Sequence, residues 1–287
     1  MDLNLVIQIL LYGVLRGFVY SIIALGLSLI FGTMKIVNLA HGTLCILGAY
    51  FAFSMINLGL DPYVSMPLLL PLFFITGICL YLGIFQKTRD PNSSTVSSFG
   101  LLMAIQTLIQ IFWDPTPKTA RSYFSDILIP LGAANIASSR IVLAFLCIFT
   151  AFVLYFLLRR TWIGTAIRAT SEDAETSSLM GVNVKWINCI AFSLGLILAC
   201  LAGVAYGTNY AFDPFVGLPL TFKGVVVLTL AGIGSTLGVL ITGPILGIIE
   251  GIVGFQIGLG WIDIVAYLMI IVILIVRPYG IFGGRRL

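Results

Sequence analysis

The sequence of 287 residues is 60% hydrophobic and only 9% charged, whereas a soluble domain carries about 25% charged residues. So little charge cannot cover a water-facing surface, and a soluble globular fold is excluded. The formal net charge is +4 and the basic residues form no stripe, so we expect no nucleic-acid partner. The five cysteines lie in apolar stretches without metal-ligand spacing, and we expect no metal site and no other cofactor.

The apolar residues fall into segments of membrane-spanning length, which is about 20 residues for a helix. The first segment is too long for one straight span, and we expect a surface-lying start followed by a span from about Val14. Leu220–Ile233 is short and is either a short crossing or a re-entrant segment. The nine segments are Leu3–Phe31, Ile36–Ile56, Tyr63–Phe85, Val96–Trp113, Ile141–Leu158, Ile187–Tyr206, Leu220–Ile233, Leu237–Phe255 and Ile262–Val276. They predict one domain, residues 1–287, that is an all-α polytopic transmembrane bundle of eight to nine spans with broken or short helices.

The distribution of lysine and arginine predicts the orientation in the cytoplasmic (inner) membrane. Nine crossings place the termini on opposite sides, and Arg16 falls within the first segment. With a cytoplasmic C-terminus, four basic residues lie outside, namely Lys118, Arg121, Arg140 and Lys223. Ten lie inside, namely Lys35, Lys87, Arg89, Arg159, Arg160, Arg168, Lys185, Arg277, Arg285 and Arg286. Because cytoplasmic loops carry the excess of positive charge, we expect the N-terminus outside and the C-terminus in the cytoplasm.

The most polar stretch of the chain, Thr161–Trp186, is then cytoplasmic. Thr170 followed three residues later by Asp173 is a weak form of a capping box, which marks the start of a helix. Gly181 has the freedom to adopt the left-handed conformation that ends one. We therefore predict a cytoplasmic helix over Ser171–Met180.

This predicted helix has features of a protein contact. Glu172 and Asp173 would lie in its first turn, where the helix dipole favours negative charge. Ala174, Ser177, Ser178 and Leu179 would give it a surface of small residues against which another protein could pack closely. An ordinary capped loop helix is the alternative interpretation. The chain contains no G-x-x-x-x-G-K-[ST] motif, so an ATPase would have to be a separate subunit.

An acidic residue and a glycine ladder share one apolar segment. Gly243, Gly247 and Gly251 repeat a G-x-x-x-G spacing, which lets another helix approach closely. Glu250 lies seven residues after Gly243 and therefore projects from the same face, towards protein or a cavity. Contact with a transported solute is one interpretation of Glu250, and a paired structural role is the other, with Arg16 as a conceivable partner.

Two further features predict interruptions of the helices. Pro244 should kink or interrupt its span, and the glycine-rich run at 231–238 precedes it. A comparable break at Gly32–Gly42 brings Asn38 and His41 into an apolar segment. Because short, glycine-interrupted segments are typical of transport pathways, we expect Asn38 and His41 to border a translocation path near the cytoplasmic side. A satisfied interior position is the alternative for His41.

Several of these segments resemble one family. The resemblance lies in Gly26–Gly42 with Leu47–Tyr50, in Glu172–Val182, in Phe222–Gly224 with Leu230–Gly238 and Gly243–Glu250, and in Arg277–Gly283. Together they are similar to the branched-chain amino acid ABC-transporter permeases of the LivH type, in order along nearly the whole chain. The region Gln86–Ser98 departs from that family because it is Ser/Thr-rich where many members carry arginine and proline.

The resemblance implies a non-enzymatic permease subunit of an ATP-driven importer for branched-chain or related amino acids. It implies two cytoplasmic ATPase subunits, a second permease subunit that is homologous or identical, and an extracytoplasmic substrate-binding protein. It also implies that Glu172–Gly181 docks on an ATPase. Related permeases of urea or short amides remain an alternative.

Other classes of membrane protein explain fewer features. An ion-coupled secondary amino-acid transporter would need an intramembrane relay, for which only Arg16, His41 and Glu250 are available. A membrane enzyme would need a nucleophile with its base or a metal cluster, and neither is visible. A channel would leave the predicted cytoplasmic helix without a purpose.

Overall fold

The computed structural model describes residues 3–88, 90–131, 134–232, 234–277 and 279–282. Arg89, Arg285 and Arg286 of the charge count, and Ile233 of a predicted span, lie outside these ranges. Within them the chain forms eleven α-helices and one hairpin. They are α1 (Leu3–Met34), α2 (His41–Asn57), α3 (Met66–Gly83), α4 (Pro91–Trp113), β1 (Leu128–Leu131), β2 (Ala134–Ala137), α5 (Ser138–Arg160), α6 (Trp162–Glu172), α7 (Ala174–Leu179), α8 (Val184–Asn209), α9 (Gly217–Ala231), α10 (Thr236–Gln256) and α11 (Ile262–Val276).

Each of the nine apolar segments of the sequence contains a helix within the described ranges. Within the described ranges, seven helical segments are long and apolar enough to cross a membrane, namely α1, α3, α4, α5, α8, α10, and α11 together with the 3-10 turn that precedes it (Leu259–Val276). The other two, α2 with 17 residues and α9 with 15, are shorter. The predicted all-α bundle with short helices is therefore confirmed, and the antiparallel pair β1–β2 is a small exception in the connection between α4 and α5.

The bundle has two ends that are defined by contacts. At the α7 end, Lys35 after α1 donates to the carbonyl of Ser171 (2.7 Å). At the Tyr63 end, the Tyr63 hydroxyl donates to the carbonyl of Ser139 (3.1 Å) and lies 3.0 Å from the hydroxyl of Thr208, which joins the start of α5 to the end of α8. Helix α1 therefore ends where α8 begins, and the two helices run antiparallel.

The buried core lies around α1, α2 and α8, whereas α4, α5 and α11 turn large apolar side chains outward. Phe145, Phe149 and Phe152 on α5 are each more than half exposed. An exposed aromatic face of this kind is too apolar for water, and it fits the acyl chains of a lipid bilayer.

One expectation about helix continuity was wrong, and one of two alternatives for Pro244 is ruled out. Helix α1 has no separate surface-lying start, because it is a single helix of 32 residues. Its first turns pack along α10, as the approach of Ile9 to Gly251 shows, rather than lying on a membrane surface. Helix α10 also continues through Pro244 without an interruption.

The glycine ladder of α10 packs against α1, which carries its own G-x-x-x-G pair, Gly13 and Gly17. A Cβ atom on Gly247 would overlap the carbonyl oxygen of Gly13, and one on Gly243 would overlap the Ser21 hydroxyl. A Cβ on Gly251 would lie 3.3 Å from the Ile9 carbonyl oxygen, so this contact is looser. The helices thus approach backbone to backbone, as small-residue motifs allow.

Replacing Gly247 by Leu should destabilise the chain by forcing α1 and α10 apart. Overpacking of this kind costs about 1–3 kcal/mol, and we expect a lower midpoint of thermal denaturation for the purified chain in detergent. The matched control is Gly100→Leu in α4, since a Cβ on Gly100 meets nothing within 4 Å. Equal midpoints for the two variants would contradict the close contact.

Candidate translocation and coupling sites

The chain breaks twice in the same way. Helix α1 ends one residue after Phe31-Gly32-Thr33, and α8 ends one residue after Tyr206-Gly207-Thr208. In both places a second glycine follows ten residues after the glycine of this motif. These second glycines, Gly42 and Gly217, lie at the start of the short helices α2 and α9.

Each break contains an equivalent turn. The Asn38 side-chain oxygen accepts the Ala40 N–H (3.1 Å), and the Asp213 carboxylate accepts the Phe215 N–H (2.7 Å). Asn38 and Asp213 both stand six residues after the glycine of their motif. Such side chains replace the backbone hydrogen bonds of a turn.

The packing repeats as well. Helices α2 and α3 pack on α8, and α9 and α10 pack on α1. A Cβ on Gly77 of α3 would lie 2.6 Å from Ser193 of α8, just as Gly243 of α10 meets Ser21 of α1. Since α1 and α8 run in opposite directions, α1–α3 and α8–α10 form two units of inverted orientation, the arrangement that places transport sites at the junction of repeats.

The two short helices meet at their N-termini. The Gly42 N–H donates to the Thr221 hydroxyl (2.8 Å), which in turn donates to the carbonyl of Leu39 (3.1 Å). A Cβ on Gly217 would lie 2.7 Å from the Cα of Thr43. The positive ends of two helix dipoles therefore face each other inside the bundle.

Asn38 and His41 lie at this junction, and both are fully buried. The His41 ring fills the space left by Gly26 of α1, where a Cβ would lie 2.7 Å from Nε2. The Asn38 amide nitrogen makes no hydrogen bond within the described part of the chain. Contact of either residue with a transported solute would require the surrounding helices to separate, so their role in the path stays a prediction.

Glu250 lies in a buried cluster of charges and is only 1% exposed. Its carboxylate lies 3.1 Å from the Lys223 ammonium and 3.7 Å from the Nε of Arg16, and it accepts a hydrogen bond from the Tyr20 hydroxyl (2.7 Å). The conceivable partner Arg16 is thus present. A carboxylate held by three groups inside the bundle fits the paired structural role suggested by the sequence.

Lys223 is the residue that the sequence interpretation misplaced. It was counted among the external residues although it lies within the predicted segment Leu220–Ile233, and it is a buried residue of α9 that is only 6% exposed. Its ammonium also lies 3.0 Å from the carboxylate of Asp263, which is half-exposed at the start of α11. A single charge within the apolar run 220–232 was the signal that could have identified it. The cluster joins α1, α9, α10 and α11.

The predicted helix over Ser171–Met180 is wrong in its bounds. Helix α6 already runs to Glu172, and Thr170 is a buried residue inside it. Asp173 separates α6 from α7, and its carboxylate accepts the N–H groups of Glu175 (2.9 Å) and Thr176 (3.1 Å). Hydrogen bonds to the charged form, those from Thr176 above all, lower the pKa of Asp173. The cap is therefore Asp173, which the sequence interpretation had placed in the first turn.

Helix α7 ends as the sequence predicted. Gly181 has a φ of +88°, and its N–H donates to the carbonyl of Ser178 (3.0 Å) while that of Val182 donates to Ser177 (3.0 Å). This pair of bonds is a Schellman motif.

The α6–α7 segment presents exposed residues at the α7 end. Glu172, Ala174 and Gly181 are exposed, and so are the two apolar residues at the end of α7. Leu179 is 83% and Met180 82% exposed. These two adjacent apolar side chains at the end of a capped helix offer a surface for contact with another protein.

The chain is similar in sequence to known permease components. A family model described as "Branched-chain amino acid transport system / permease component" matches residues 9–274. The permease BraD of Pseudomonas aeruginosa is 27% identical, covering 96% of this chain and 95% of BraD. LivH of Escherichia coli K12 is 26% identical with the same coverage, and a probable LivH of Methanocaldococcus jannaschii is 27% identical over 91% of this chain and 88% of its own. No solved structure matches the chain.

Removing one partner of the Glu250–Lys223 pair should be costly. Breaking a buried pair costs about 3–5 kcal/mol because one charge stays buried, so we expect Glu250→Gln and Lys223→Met each to lower the denaturation midpoint in detergent. The double variant should lose less than the sum of the two. Asp263→Asn is the control, since a half-exposed pair contributes only about 0–1 kcal/mol. Additive losses in the double variant would show that the pair is not coupled.

Proposed function

The chain belongs to the family of branched-chain amino acid permease components, and from that membership we propose that it carries branched-chain or closely related amino acids across the cytoplasmic membrane. Within an ABC transport system it is the membrane component and not the ATPase. The observation that carries the proposal is the family match over residues 9–274, which includes both helix breaks and the α6–α7 segment.

The partners follow from the system to which the family belongs. A binding-protein-dependent ABC system includes an ATPase and a binding protein. We infer a complex with two ATPase subunits at the α7 end, a second permease subunit and an extracytoplasmic binding protein at the Tyr63 end. The outward apolar faces of α5 and α11 support contacts with lipid and with the second permease.

The charge distribution supports an orientation with the N-terminus outside. Among the described residues, the α7 end carries Lys35, Lys87, Arg159, Arg160, Arg168, Lys185 and Arg277, and the Tyr63 end carries Lys118, Arg121 and Arg140. With Lys223 now inside the bundle, the contrast between the two ends remains strong. The positive-inside rule then makes the α7 end cytoplasmic.

We further propose that α7 is the ATPase-coupling helix. Asp173 and Gly181 hold both of its ends, and the hydrogen bond from Lys35 to Ser171 links the α6–α7 segment to the end of α1. A force applied by a motor on Leu179 and Met180 would therefore reach α1 and, through it, the junction of the two short helices.

Uptake by the reconstituted importer tests both cargo and energy source. We expect proteoliposomes with the chain, its second permease, the ATPases and the binding protein to take up labelled leucine only with ATP. Unlabelled isoleucine and valine should compete, and urea and acetamide should not. Competition by urea would favour the amide alternative, and uptake by the chain alone on a proton or sodium gradient would overturn the ABC function.

The double variant Leu179→Ala/Met180→Ala should no longer co-purify with the ATPase subunits and should lose ATP-driven uptake. Its own denaturation midpoint should not change, since both side chains are largely exposed. The matched control is Leu58→Ala/Val64→Ala at the Tyr63 end, where Leu58 is 71% and Val64 66% exposed. Co-purification that survives in the first variant would refute docking at α7.

A further inference from the structure

A cavity at the α7 end has not been used by the function described so far. It has a volume of about 420 Å³ and opens to the surroundings between α1, α5, α6 and the start of α10. Its walls combine side chains of three kinds, namely two arginines, several hydroxyls and a group of leucines.

The charge of this cavity is entirely positive. Arg159 and Arg168 line it, and no aspartate or glutamate is among its described lining residues. Both arginines are exposed, and within the described ranges neither forms an ion pair. The Arg159 guanidinium lies 5.3 Å from the centre of the Tyr155 ring, which holds it at the rim. Two guanidinium groups with no carboxylate among the described lining residues favour an anion, which a guanidinium binds through parallel hydrogen bonds.

The start of α10 adds to this positive potential. Ser235 caps the helix by accepting the Gly238 N–H (3.1 Å), and Ser235 and Thr236 both line the cavity. The N-terminus of a 21-residue helix is a favourable place for negative charge. Ser28 of α1 offers a further hydroxyl in the lining.

The remainder of the wall is apolar. It is formed by Leu25, Leu29, Leu154, Leu158 and Leu237. Leu237 is 63% exposed, and the adjoining outer face of α5 carries the exposed aromatic residues that point to lipid. The cavity thus places a cationic rim next to an apolar wall that continues into the lipid-facing surface.

We propose that this cavity, the Arg159 cavity, binds the phosphate headgroup of an anionic phospholipid while the leucines contact its acyl chains. Basic pockets between transmembrane helices at a membrane surface take such headgroups. A zwitterionic amino acid fits less well, because no described lining carboxylate would pair with its ammonium group. The proposal requires only that the α7 end lies at a membrane surface, and it does not depend on the cargo or on the ATPase.

Native mass spectrometry of the purified full-length chain tests this proposal. Phosphatidylglycerol should bind more tightly than phosphatidylcholine with the same acyl chains. The variant Arg159→Gln/Arg168→Gln should weaken phosphatidylglycerol binding about thirtyfold. Each guanidinium contributes a factor of about five, and the two factors multiply. The matched control is Arg121→Gln/Arg160→Gln, which loses the same charge outside the cavity and should bind as the native chain does.

A second variant leaves the charge unchanged. A Cβ on Gly32 would meet only Ser171, at 3.9 Å, so a larger side chain there extends into the Arg159 cavity. We expect Gly32→Leu to reduce phosphatidylglycerol binding at least tenfold without lowering the denaturation midpoint.

Four outcomes would overturn the proposal. The first is an equal loss of phosphatidylglycerol binding in the control variant, and the second is no loss of that binding in either cavity variant. The third is competition by inorganic phosphate at the concentration at which the lipid binds. The fourth is unchanged lipid binding together with loss of ATPase co-purification in Arg159→Gln/Arg168→Gln. The last of these would assign the arginines to a protein contact.

Discussion

The structure depends on how two breaks, one after α1 and one after α8, keep their backbone groups hydrogen-bonded where the chain turns back into the bundle, since an unpaired polar group inside a membrane costs several kcal/mol. At the first break, the N–H of Leu39 donates to the Ser98 hydroxyl (3.0 Å) and that of Gly42 to Thr221. At the second, Phe212 exchanges two backbone hydrogen bonds with Lys118 (2.9 Å each). Side chains of other helices and a loop strand thus replace the missing helical bonds. The partners are supplied by α4, by α9 and by the connection between α4 and α5, and the bond from Gly42 to Thr221 also holds α2 against α9.

The buried charges impose a second constraint on the same helices. Glu250, Lys223 and Arg16 come from three elements, and their mutual distances fix how α9 and α10 sit on α1. A buried ion pair adds little net stability compared with apolar residues, but it penalises any arrangement that separates its members. The glycine contacts between α1 and α10 supply the close packing, and the charges fix the register. Movement of α9 relative to α1 and α10 would separate the ammonium of Lys223 from the carboxylate of Glu250. We therefore expect the cluster to resist such movement.

The sequence predicted the parts of the fold that depend on composition and short motifs. The nine apolar segments, the glycine ladder with Gly247 at its centre and the burial of Glu250 all follow from residue type and spacing. The boundary of the α6–α7 segment could not be predicted, because Thr170 and Asp173 are both acceptable caps and tertiary contacts of α6 decide between them. Lys223 was misplaced because α9 starts inside the bundle rather than at a membrane surface. The length of an apolar segment does not reveal where in the bundle a short helix begins. The inverted units were detectable in principle from the Gly-Thr pairs before Gly42 and Gly217, but two three-residue motifs become convincing only when the packing repeats as well.

In the proposed coupling route, a force on α7 passes to the end of α1 through the hydrogen bond between Lys35 and Ser171, and from α1 to the junction of α2 and α9. The account requires that α7 and the loop before α3 lie on opposite sides of the membrane. Single cysteines at Met180 and Leu58, in a chain whose five native cysteines are replaced by alanine, can be labelled in intact cells with a membrane-impermeant maleimide. The account predicts that Leu58→Cys is labelled in intact cells and Met180→Cys only after the membrane is opened. Labelling of Met180→Cys in intact cells would contradict it.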